Sequence, residues 1–358
     1  MAKFSDVLTI VNGKNQKKVE NPNGKYPIYG SGGIMGYADD YLCQANTVII
    51  GRKGNINKPI FVDEPFWNVD TAFGLEAKRD ILLPKYLFYF CLRFDFERLN
   101  KAVTIPSLTK ADLLEIEIDL PSVDVQADIV EKLDSIDRLI SLRKQQLAKL
   151  DELIKARFVE MFGDPETNPK GWEKAFLKDH ATVFVGYPFE SEGYTSKGIK
   201  IIGGYNLMQG FIQWDSSKYW PDTNGFEQYL LKENDIVMAM DRPWVNGGFK
   251  IALIDSEHLP ALLIQRTACI RRKDIEHDFL FAMLDSDRFA RHCNITGSLV
   301  PHISNKDINS FQIIIPPLKE QQGFTTLVKQ VNKSKSVVQQ SLDKLETLKN
   351  ALMQEFFG

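Results

Sequence analysis

The sequence predicts an α+β protein of two tandem mixed α/β domains, separated by a pair of long antiparallel coiled-coil helices and related by a pseudo-twofold internal repeat. Three features of the 358 residues support this prediction. One segment of the first half is repeated without a gap in the second half. Short strand-like runs, broken by Gly, Asn and Pro, fill most of each half. A long segment with a heptad pattern of apolar residues follows each set of runs.

The internal repeat aligns residues 104–163 with residues 299–358 at a constant offset of 195. Upstream, ANTVIIGRKGN (45–55) resembles ENDIVMAMDRP (233–243), although the spacing between such matches drifts. A shared scaffold that carries different loops has this property. Identical pairs in the gapless part include Pro106/Pro301, Asp112/Asp307, Ile118/Ile313, Pro121/Pro316, Gln126/Gln321 and Phe162/Phe357.

The boundaries of the predicted domains lie where the apolar period changes. We predict a first domain at 1–121, a first long helix at 122–163, a linker at 164–171, a second domain at 172–316 and a second long helix at 317–358.

Within each domain, apolar runs between turn residues predict strands, and one longer segment has helical spacing. In the first half the predicted strands are TVIIG (47–51), KPIFV (58–62) and LEIEIDL (114–120), and the predicted helix is 84–100. In the second half the predicted strands are IKIIGG (199–204), NDIVMAM (234–240), FKIALI (249–254) and FQIII (311–315), and the predicted helix is 279–293.

The two long segments carry apolar residues at alternating spacings of three and four, which is typical of a coiled-coil seam. At 1.5 Å per residue, residues 126–161 would form a helix of about 54 Å. The first helix ends at the second domain and the second helix begins there. The second helix can therefore cover the apolar seam of the first only if the two are antiparallel. The alternative is two helices that each pack on their own domain. The predicted helix–helix interface is Ile129, Leu133, Ile136, Ile140, Leu147, Leu150, Ile154, Phe324, Val328, Val331, Val338, Leu342, Leu345 and Leu352.

An additional apolar face of the helices exceeds what one partner helix covers, which indicates docking by another protein. Its residues are Leu139, Leu142, Leu153, Val337 and Leu348.

The composition excludes several classes of protein. Lys and Arg number 44 and Asp and Glu 47, so the net charge of −3 argues against binding nucleic acid through bulk charge alone. The four cysteines are scattered and no zinc-site spacing occurs, so no metal is expected. The N-terminal residues lack a signal-peptide apolar region and no run approaches 18 apolar residues, which predicts a soluble cytoplasmic protein without membrane attachment.

Catalytic motifs are missing from the sequence. It contains no GxxxxGK[ST] phosphate loop, no [DNS]PP[FYW] methyltransferase tetrapeptide and no HExxH or triad-like group of histidines. GSGGIMG (30–36) is better explained as a turn than as a nucleotide loop. A nuclease-like set of Asp70, Glu76 and Lys78 is a weak alternative, because an ExK triplet is common in a chain with 25% charged residues.

Loops of both halves combine basic and amide side chains suited to DNA, in which Lys contacts phosphates while Arg and Asn pair with base edges. Solvated turns would use the same residue types. Gln265 and Arg266 occupy the repeat positions of Val69 and Asp70, and the halves differ most in such loops. The candidate DNA-binding residues are Arg52, Lys53, Asn55, Lys58, Ser107, Thr109, Lys110, Arg242, Trp244, Asn246, Gln265, Arg266, His302, Ser304, Asn305 and Lys306.

The motif IIIPPLKEQQ (313–322), its weaker copy IDLPSVDVQ (118–126), the segments TIPSLTKADL (104–113) and LVPHISNKDI (299–308), and the duplicated helices identify a family resemblance. The chain resembles the DNA-specificity subunits of type I restriction–modification systems over essentially its whole length. The first motif copy departs from the pattern, with Ser122 in place of the second proline and Val125 in place of the glutamate.

This resemblance implies a non-catalytic subunit whose two target-recognition domains bind a bipartite, asymmetric site on double-stranded DNA. It implies that the long helices dock two methyltransferase subunits, which hold S-adenosylmethionine and methylate adenine, and that restriction subunits join the complex to cleave DNA. This chain would then hold no cofactor, while ATP and Mg act in partner subunits. Two alternatives remain at this point: a protein-interaction scaffold with terminal binding domains, and a specificity module of a methylation-only system.

Overall fold

The computed structural model describes residues 1–100, 106–245, 247–295 and 301–358. These residues pack as two compact units. Unit 1 contains Met1–Gln146 and Val338–Gly358, and unit 2 contains Leu147–Val337.

Unit 1 is a mixed α/β structure that is rich in short strands. Its helices are α1 (Phe4–Val7), α2 (Pro84–Arg93), α3 (Lys110–Leu114) and the part of α4 (Val123–Phe162) up to Gln146. Its strands are β1 (Ala2–Lys3), β2 (Leu8–Asn12), β3 (Tyr26–Gly30), β4 (Gly33–Ala38), β5 (Thr47–Gly51), β6 (Ile60–Val62), β7 (Trp67–Asn68), β8 (Ala72–Ala77) and β9 (Glu117–Ile118).

Unit 2 has the same character. Its helices are α5 (Leu177–His180), α6 (His277–Leu284), α7 (Asp287–His292), α8 (Asn305–Ser310) and the part of α9 (Leu318–Phe357) up to Val337. Its strands are β10 (Glu173–Phe176), β11 (Ala181–Val185), β12 (Ile199–Ile202), β13 (Lys218–Trp220), β14 (Ile236–Ala239), β15 (Trp244–Val245), β16 (Gly248–Phe249), β17 (Ile251–Leu253), β18 (Ala261–Leu263), β19 (Thr267–Arg272) and β20 (Gln312–Ile315).

The sheets of the two units share one topology. An antiparallel four-stranded sheet has the order β2-β8-β5-β6 in unit 1 and β11-β19-β14-β17 in unit 2. A three-stranded sheet has the order β4-β3-β7 in unit 1 and β13-β12-β18 in unit 2, with one antiparallel and one parallel pairing in each. The internal repeat of the sequence is therefore a repeat of topology.

The central strands of the four-stranded sheets explain the longest apolar runs of each half. Every residue of β5 and of β14 is buried. One face of β5 packs with Leu87 and Phe90 of α2, and one face of β14 packs with Phe279 and Leu280 of α6. The opposite face of each strand belongs to a second, smaller cluster. Burial on both faces removes the polar alternation of a half-exposed strand.

The sequence predicted the extent of several elements incorrectly. The segment 84–100 forms α2 and then a short 3-10 helix at Phe96–Leu99, and 279–293 forms α6 and α7 rather than one helix. The predicted strand 114–120 is reduced to β9, because residues up to Leu114 belong to α3.

Short polar side chains cause these interruptions. The Asp95 carboxylate accepts a hydrogen bond from Glu97 N, the Thr109 hydroxyl accepts from Asp112 N, and the Ser286 hydroxyl accepts from Phe289 N. Each bond satisfies a main-chain N–H at the start of a new helical turn. A new helix can therefore begin at that residue without leaving this donor unpaired.

A buried glutamine fixes each long helix to the globular part of its unit. In unit 1 the Gln126 side chain accepts from Leu83 N (2.8 Å) and donates to the main-chain oxygens of Ile81 and Pro121 (both 2.9 Å). Leu83 precedes α2 directly, so the amide satisfies one of the unpaired N–H groups at the start of that helix.

Gln321 forms the corresponding bonds in unit 2. Its side chain accepts from Glu276 N (2.9 Å), at the start of α6, and donates to Pro316 O (2.7 Å). Gln126 and Gln321 are 0% and 2% exposed. The glutamine pair that the repeat identified is therefore a structural anchor.

In unit 1 the start of α4 lies against the end of α9. Asp137 pairs with Lys349 (2.5 Å) and Lys144 pairs with Glu346 (3.0 Å), while Ile129 shares a buried cluster with Met353. Residue numbers fall along α9 as they rise along α4, so the two segments run in opposite directions within this unit.

A buried tyrosine joins α2 to the same helical pair. Tyr89 donates from its hydroxyl to Asp134 (2.7 Å) and Asp137 (3.1 Å) of α4. Burial, together with these two carboxylates, raises the pKa of Tyr89, so the hydroxyl remains a donor. Asp137 also binds Lys349 of α9, and three helices therefore share one polar network.

In unit 2 the end of α4 lies against the start of α9. Phe158 and Phe162 contact Phe324, with ring centroids 5.5 and 5.6 Å apart, and Asp151 pairs with Lys335 (2.6 Å). These segments also run in opposite directions. Phe162 packs further against Phe279 of α6, at 4.8 Å, and becomes part of the core of unit 2.

Replacing Gln321 by Leu should destabilise unit 2, because it leaves Glu276 N and Pro316 O without their partner. We expect a loss of about 1–3 kcal/mol in the free energy of unfolding for each orphaned buried group. Chemical denaturation followed by circular dichroism measures this change. Gln322→Leu, the same substitution at the exposed neighbouring position, is the control and should change the free energy by less than about 0.5 kcal/mol. Equal effects of the two substitutions would contradict the anchoring role.

Candidate nucleic-acid interface

Loop surface 1, which consists of residues 52–58 and 106–108, forms where the chain leaves strand β5. Gly51 is needed at this exit, since a Cβ atom there would lie 2.4 Å from the Asn55 carbonyl oxygen. Gly54 has a φ of +79°, which glycine adopts without steric cost. The two glycines allow the loop to turn back sharply.

Main-chain hydrogen bonds hold the two parts of loop surface 1 together. They run from Arg52 N to Thr71 O (2.7 Å), from Gly54 N to Pro106 O (3.0 Å) and from Leu108 N to Arg52 O (3.0 Å). An isolated β-bridge also pairs Lys53 with Ser107. The segment that precedes the long helix thus lies beside the basic loop that follows β5.

The basic and amide side chains predicted for this loop face solvent. Arg52, Lys53, Asn55 and Lys58 are all exposed. The Arg52 guanidinium lies 5.7 Å from the centre of the Phe73 ring, within cation–π distance, while the residue remains exposed. Four predicted residues therefore share one exposed loop.

Loop surface 2 comprises residues 240–245, 265–266 and 301–303 of unit 2 and has the same main-chain pattern. Its bonds run from Met240 N to Arg266 O (2.9 Å), from Arg242 N to Pro301 O (3.1 Å) and from Ile303 N to Met240 O (2.8 Å). A β-bridge pairs Asp241 with His302, as Lys53 pairs with Ser107 in unit 1.

These equivalent bonds correct the predicted register at one point. Arg266 occupies the position of Thr71, because both carbonyls accept from the residue that follows the equivalent strands β5 and β14 by one place. The expectation that Arg266 corresponds to Asp70 was wrong by one residue. The sequence match has no gapless anchor in this region, so its alignment could slip.

A charged cluster that sequence reasoning missed lies at the centre of loop surface 2. The Asp241 carboxylate accepts from Arg266 through one oxygen and lies 2.5 Å from His302 Nδ1 through the other. Both partners are largely exposed, with side-chain exposures of 73% for Arg266 and 57% for His302, against 32% for Asp241. Asp241 therefore holds two of the predicted DNA-binding side chains at the surface.

The electrostatics of the cluster keep this carboxylate ionised. The hydrogen bond from Arg266, together with the weaker one from His302, lowers the pKa of Asp241 despite its partial burial. Each oxygen of this carboxylate has a hydrogen-bond partner, so the Asp241 side chain is satisfied within the cluster.

Two predicted residues have structural roles in helix starts. The Thr109 and Ser304 hydroxyls accept from Asp112 N (3.1 Å) and Asp307 N (3.2 Å) and cap α3 and α8. Asp307 completes a capping box by accepting from Ser304 N (2.8 Å). Helix capping therefore explains the repeated pairs Thr109/Ser304 and Asp112/Asp307.

Lys110 and Trp244 also make contacts within the protein. Lys110 donates from Nζ to Ile10 O (2.8 Å). The half-buried Trp244 ring packs edge-on against Phe249, with centroids 4.8 Å apart. A DNA contact by either residue would have to replace or extend these interactions.

The remaining candidate DNA-binding residues of the second half differ in their exposure and in their contacts. Gln265 is exposed beside Arg266, and Lys306 is exposed on α8. Asn305 is engaged with Asn309 Nδ2, which donates to its side-chain oxygen (3.0 Å). Asn246 lies outside the described residues.

The side chains of the predicted helix–helix interface face inward in both units. The half-buried members are Ile140, Leu147, Leu150, Ile154, Leu345 and Leu352. The buried members are Ile129, Leu133, Ile136, Phe324, Val328, Val331, Val338 and Leu342. In contrast, the additional apolar face is exposed: Leu139, Leu142, Leu153, Val337 and Leu348 have exposures of 42–63%.

The residues of the nuclease alternative serve other parts of the fold. Glu76 accepts from Gln44 N (2.9 Å), and Lys78 donates from Nζ to Asp6 O (2.7 Å), while Asp70 is exposed in the turn before β8. Within residues 1–100, 106–245, 247–295 and 301–358, no three His, Cys, Asp or Glu side chains are grouped to hold a metal ion.

Asp241 and the glutamine pair Gln126 and Gln321 were not among the predicted site residues, and they differ in how far the sequence marks them. Asp241 was visible only as an acidic residue inside a basic loop, and no pattern links it to Arg266 or His302. Gln126 and Gln321 did carry a signal, since they are identical in the repeat and lie at the start of a heptad segment. Their role as anchors follows from the hydrogen bonds of the structure.

Among the described residues, no helix is both long enough and apolar enough to span a bilayer.

Comparison with known sequences finds relatives that are similar over much of this chain. A specificity subunit of the type I restriction enzyme MjaVIII from Methanocaldococcus jannaschii is 26% identical over 99% of this chain and 90% of its own length. The specificity subunit of the Escherichia coli enzyme EcoAI is 32% identical over 56% of this chain and 36% of its own length.

Solved structures show the same fold. A type I restriction–modification S subunit from M. genitalium aligns with a TM-score of 0.64 and 16% identity over 100% of this chain and 95% of its own. A chain from a study of complex assembly of a type I system aligns with a TM-score of 0.56 and 16% identity, over 99% and 96% of the two chains.

The family model for the type I restriction modification DNA specificity domain matches residues 1–152 and 169–347. The two matches cover most of the chain and correspond to its two repeated halves. The chain therefore belongs to the family of type I restriction–modification DNA specificity subunits.

Proposed function

We propose that this chain is the non-catalytic DNA-binding subunit of a type I restriction–modification complex and recognises a bipartite, asymmetric site. Loop surface 1 would contact one half of the site and loop surface 2 the other. The observation that carries this proposal is the pair of equivalent main-chain frameworks with different side chains. Lys53 and Ser107 stand in one framework where Asp241 and His302 stand in the other. Two halves built in this way would bind two different sequences.

The long helices would form an antiparallel coiled coil that sets the unrecognised spacer between the two half-sites. The opposite directions of their segments within each unit and the inward-facing interface residues support this proposal. Two ion pairs, Asp151–Lys335 and Asp137–Lys349, join the two helices, and pairs of this kind would help to specify their register.

Partner subunits would supply the chemistry. We assign the additional apolar face to docking of two methyltransferase subunits, which would hold S-adenosylmethionine and methylate adenine. Restriction subunits with ATP and Mg would join through this complex and cleave DNA. This chain would itself hold no cofactor and would act in the cytoplasm, where the target DNA is.

Neutralising a phosphate contact in loop surface 1 should weaken DNA binding in a salt-dependent way. For Lys53→Gln we expect the slope of log affinity against log salt to fall by about 0.9, the contribution of one phosphate contact. Fluorescence anisotropy of the complex with its methyltransferase partner measures the slope. Lys3→Gln is the control, because Glu115 already compensates Lys3 at 2.5 Å. An unchanged slope for Lys53→Gln would exclude Lys53 from the phosphate contacts.

Exchanging residues 172–316 for the same domain of another family member should change one half-site only. Each framework is closed by hydrogen bonds within its own unit, so the other loops keep their conformation. Sequencing of methylated adenines in cells that carry the hybrid measures both half-sites. A change in both half-sites would contradict independent recognition.

Lengthening the long helices should change the spacer and not the half-sites. Insertion of seven residues, one heptad, into both helices at facing positions adds about 10 Å while keeping the seam in phase. We expect a spacer about three base pairs longer at 3.4 Å per base pair. An equal insertion between the exposed residues Glu166 and Thr167 lengthens the chain without lengthening a helix and should leave the spacer unchanged. Altered half-sites with a constant spacer would refute this role.

A further inference from the structure

Loop surface 2 carries an arginine that the protein holds in a defined pose. Arg266 has a φ of +63° and Arg242 a φ of +46°, both in the left-handed region that residues with a Cβ rarely adopt. Such conformations persist where the surrounding structure over-determines them, and they cluster at functional sites. Here the main-chain carbonyl of Arg266 is fixed by Met240 N (2.9 Å) while its guanidinium is fixed by Asp241.

The geometry of this pair leaves the arginine competent to bind a base. Asp241 accepts from one terminal nitrogen, Nη1, of Arg266, so the guanidinium keeps other donors for a ligand. Arginine is the side chain that most often specifies guanine, through paired hydrogen bonds to O6 and N7 in the major groove. Orienting the guanidinium in advance lowers the entropy lost on forming these bonds.

His302 binds the carboxylate oxygen of Asp241 that Arg266 does not bind. A free carboxylate would repel the phosphates of DNA. The second oxygen of Asp241 contacts His302 Nδ1 at 2.5 Å, so neither oxygen is left facing a phosphate alone. The carboxylate therefore acts on its neighbours rather than on DNA.

Unit 1 lacks this arrangement at equivalent positions. Thr71 replaces Arg266, Lys53 replaces Asp241 and Ser107 replaces His302 in the matching hydrogen bonds and β-bridges. The basic loop of unit 1 thus has no arginine oriented by a carboxylate at this position. The difference is confined to side chains, because the main-chain framework is the same.

We propose that Arg266 specifies a guanine in the half-site bound by unit 2, and that Asp241 is its positioning residue. This assignment rests on the proposed DNA-binding function and adds a base identity to it. A contact of Arg266 to phosphate instead would fix affinity without specifying a base.

The test measures binding of the complex with its methyltransferase partner to oligonucleotides in which each base pair of the half-site is replaced in turn. For the wild-type chain we expect replacement of one G·C pair to lower affinity by about 5- to 150-fold, the discrimination of one bidentate contact. Arg266→Gln should lower affinity for the intact site by a similar factor. It should leave affinity for the replaced site unchanged, so that discrimination at that pair disappears.

Two further variants and one control separate the positioning of Arg266 from the folding of unit 2. Arg266→Lys keeps the charge but loses the planar fork, and should also lose discrimination at that pair. Asp241→Asn removes the charge that orients the Arg266 guanidinium, and it should reduce discrimination at the same pair. Arg291→Gln removes an arginine that is paired with Glu166 elsewhere in unit 2, and it should change neither property. Circular dichroism melting of each variant checks that unit 2 is folded.

The outcomes distinguish the two levels of the proposal. A wild-type complex without any sequence preference would overturn the proposed function itself. A wild-type preference for a bipartite site that Arg266→Gln leaves intact at every pair would overturn only the guanine assignment. Equal loss on all oligonucleotides would also overturn it, since this is the behaviour of a phosphate contact.

Discussion

The structure depends on one repeated interaction, the buried glutamine at the start of each long helix. The side-chain oxygen of each glutamine accepts a hydrogen bond from a main-chain N–H at the start of a helix of its domain. The side-chain NH2 donates to the carbonyl oxygen of a proline five residues earlier, Pro121 for Gln126 and Pro316 for Gln321. Asparagine is one methylene shorter, and glutamate lacks the donor, so this pairing requires glutamine. The direction in which each long helix leaves its domain is fixed by these bonds, and so are the interface residues that the helix presents.

The two loop surfaces combine a constant framework with variable chemistry. Main-chain hydrogen bonds join residues 106–108 and 301–303 to the loop that follows the central strand of their unit, and these bonds do not depend on side-chain identity. Lysine can therefore stand in unit 1 where aspartate stands in unit 2 without disturbing the fold. A subunit of this kind can change its target by substituting exposed residues, while the cores and helix anchors remain under packing constraints.

Much of this architecture could be predicted, because the relevant signals are periodic or duplicated. The heptad spacing located α4 and α9 to within a few residues, and the gapless repeat predicted two copies of one topology. Interruptions of a helix by a local side-chain hydrogen bond could not be predicted in the same way. Ser286 divides one apolar segment into α6 and α7 through two hydrogen bonds of its hydroxyl, and a sequence pattern does not show which serine will do so. Asp241 was missed for a related reason, since its partners lie far away in the chain and meet only in the folded unit.

The most direct test of this account is sequencing of modified adenines in cells that carry this chain with its partner subunits. Two units that bind independently predict two short defined blocks of sequence, different from each other and separated by a fixed number of undefined base pairs. A single continuous motif, or two blocks whose separation varies freely, would contradict the account.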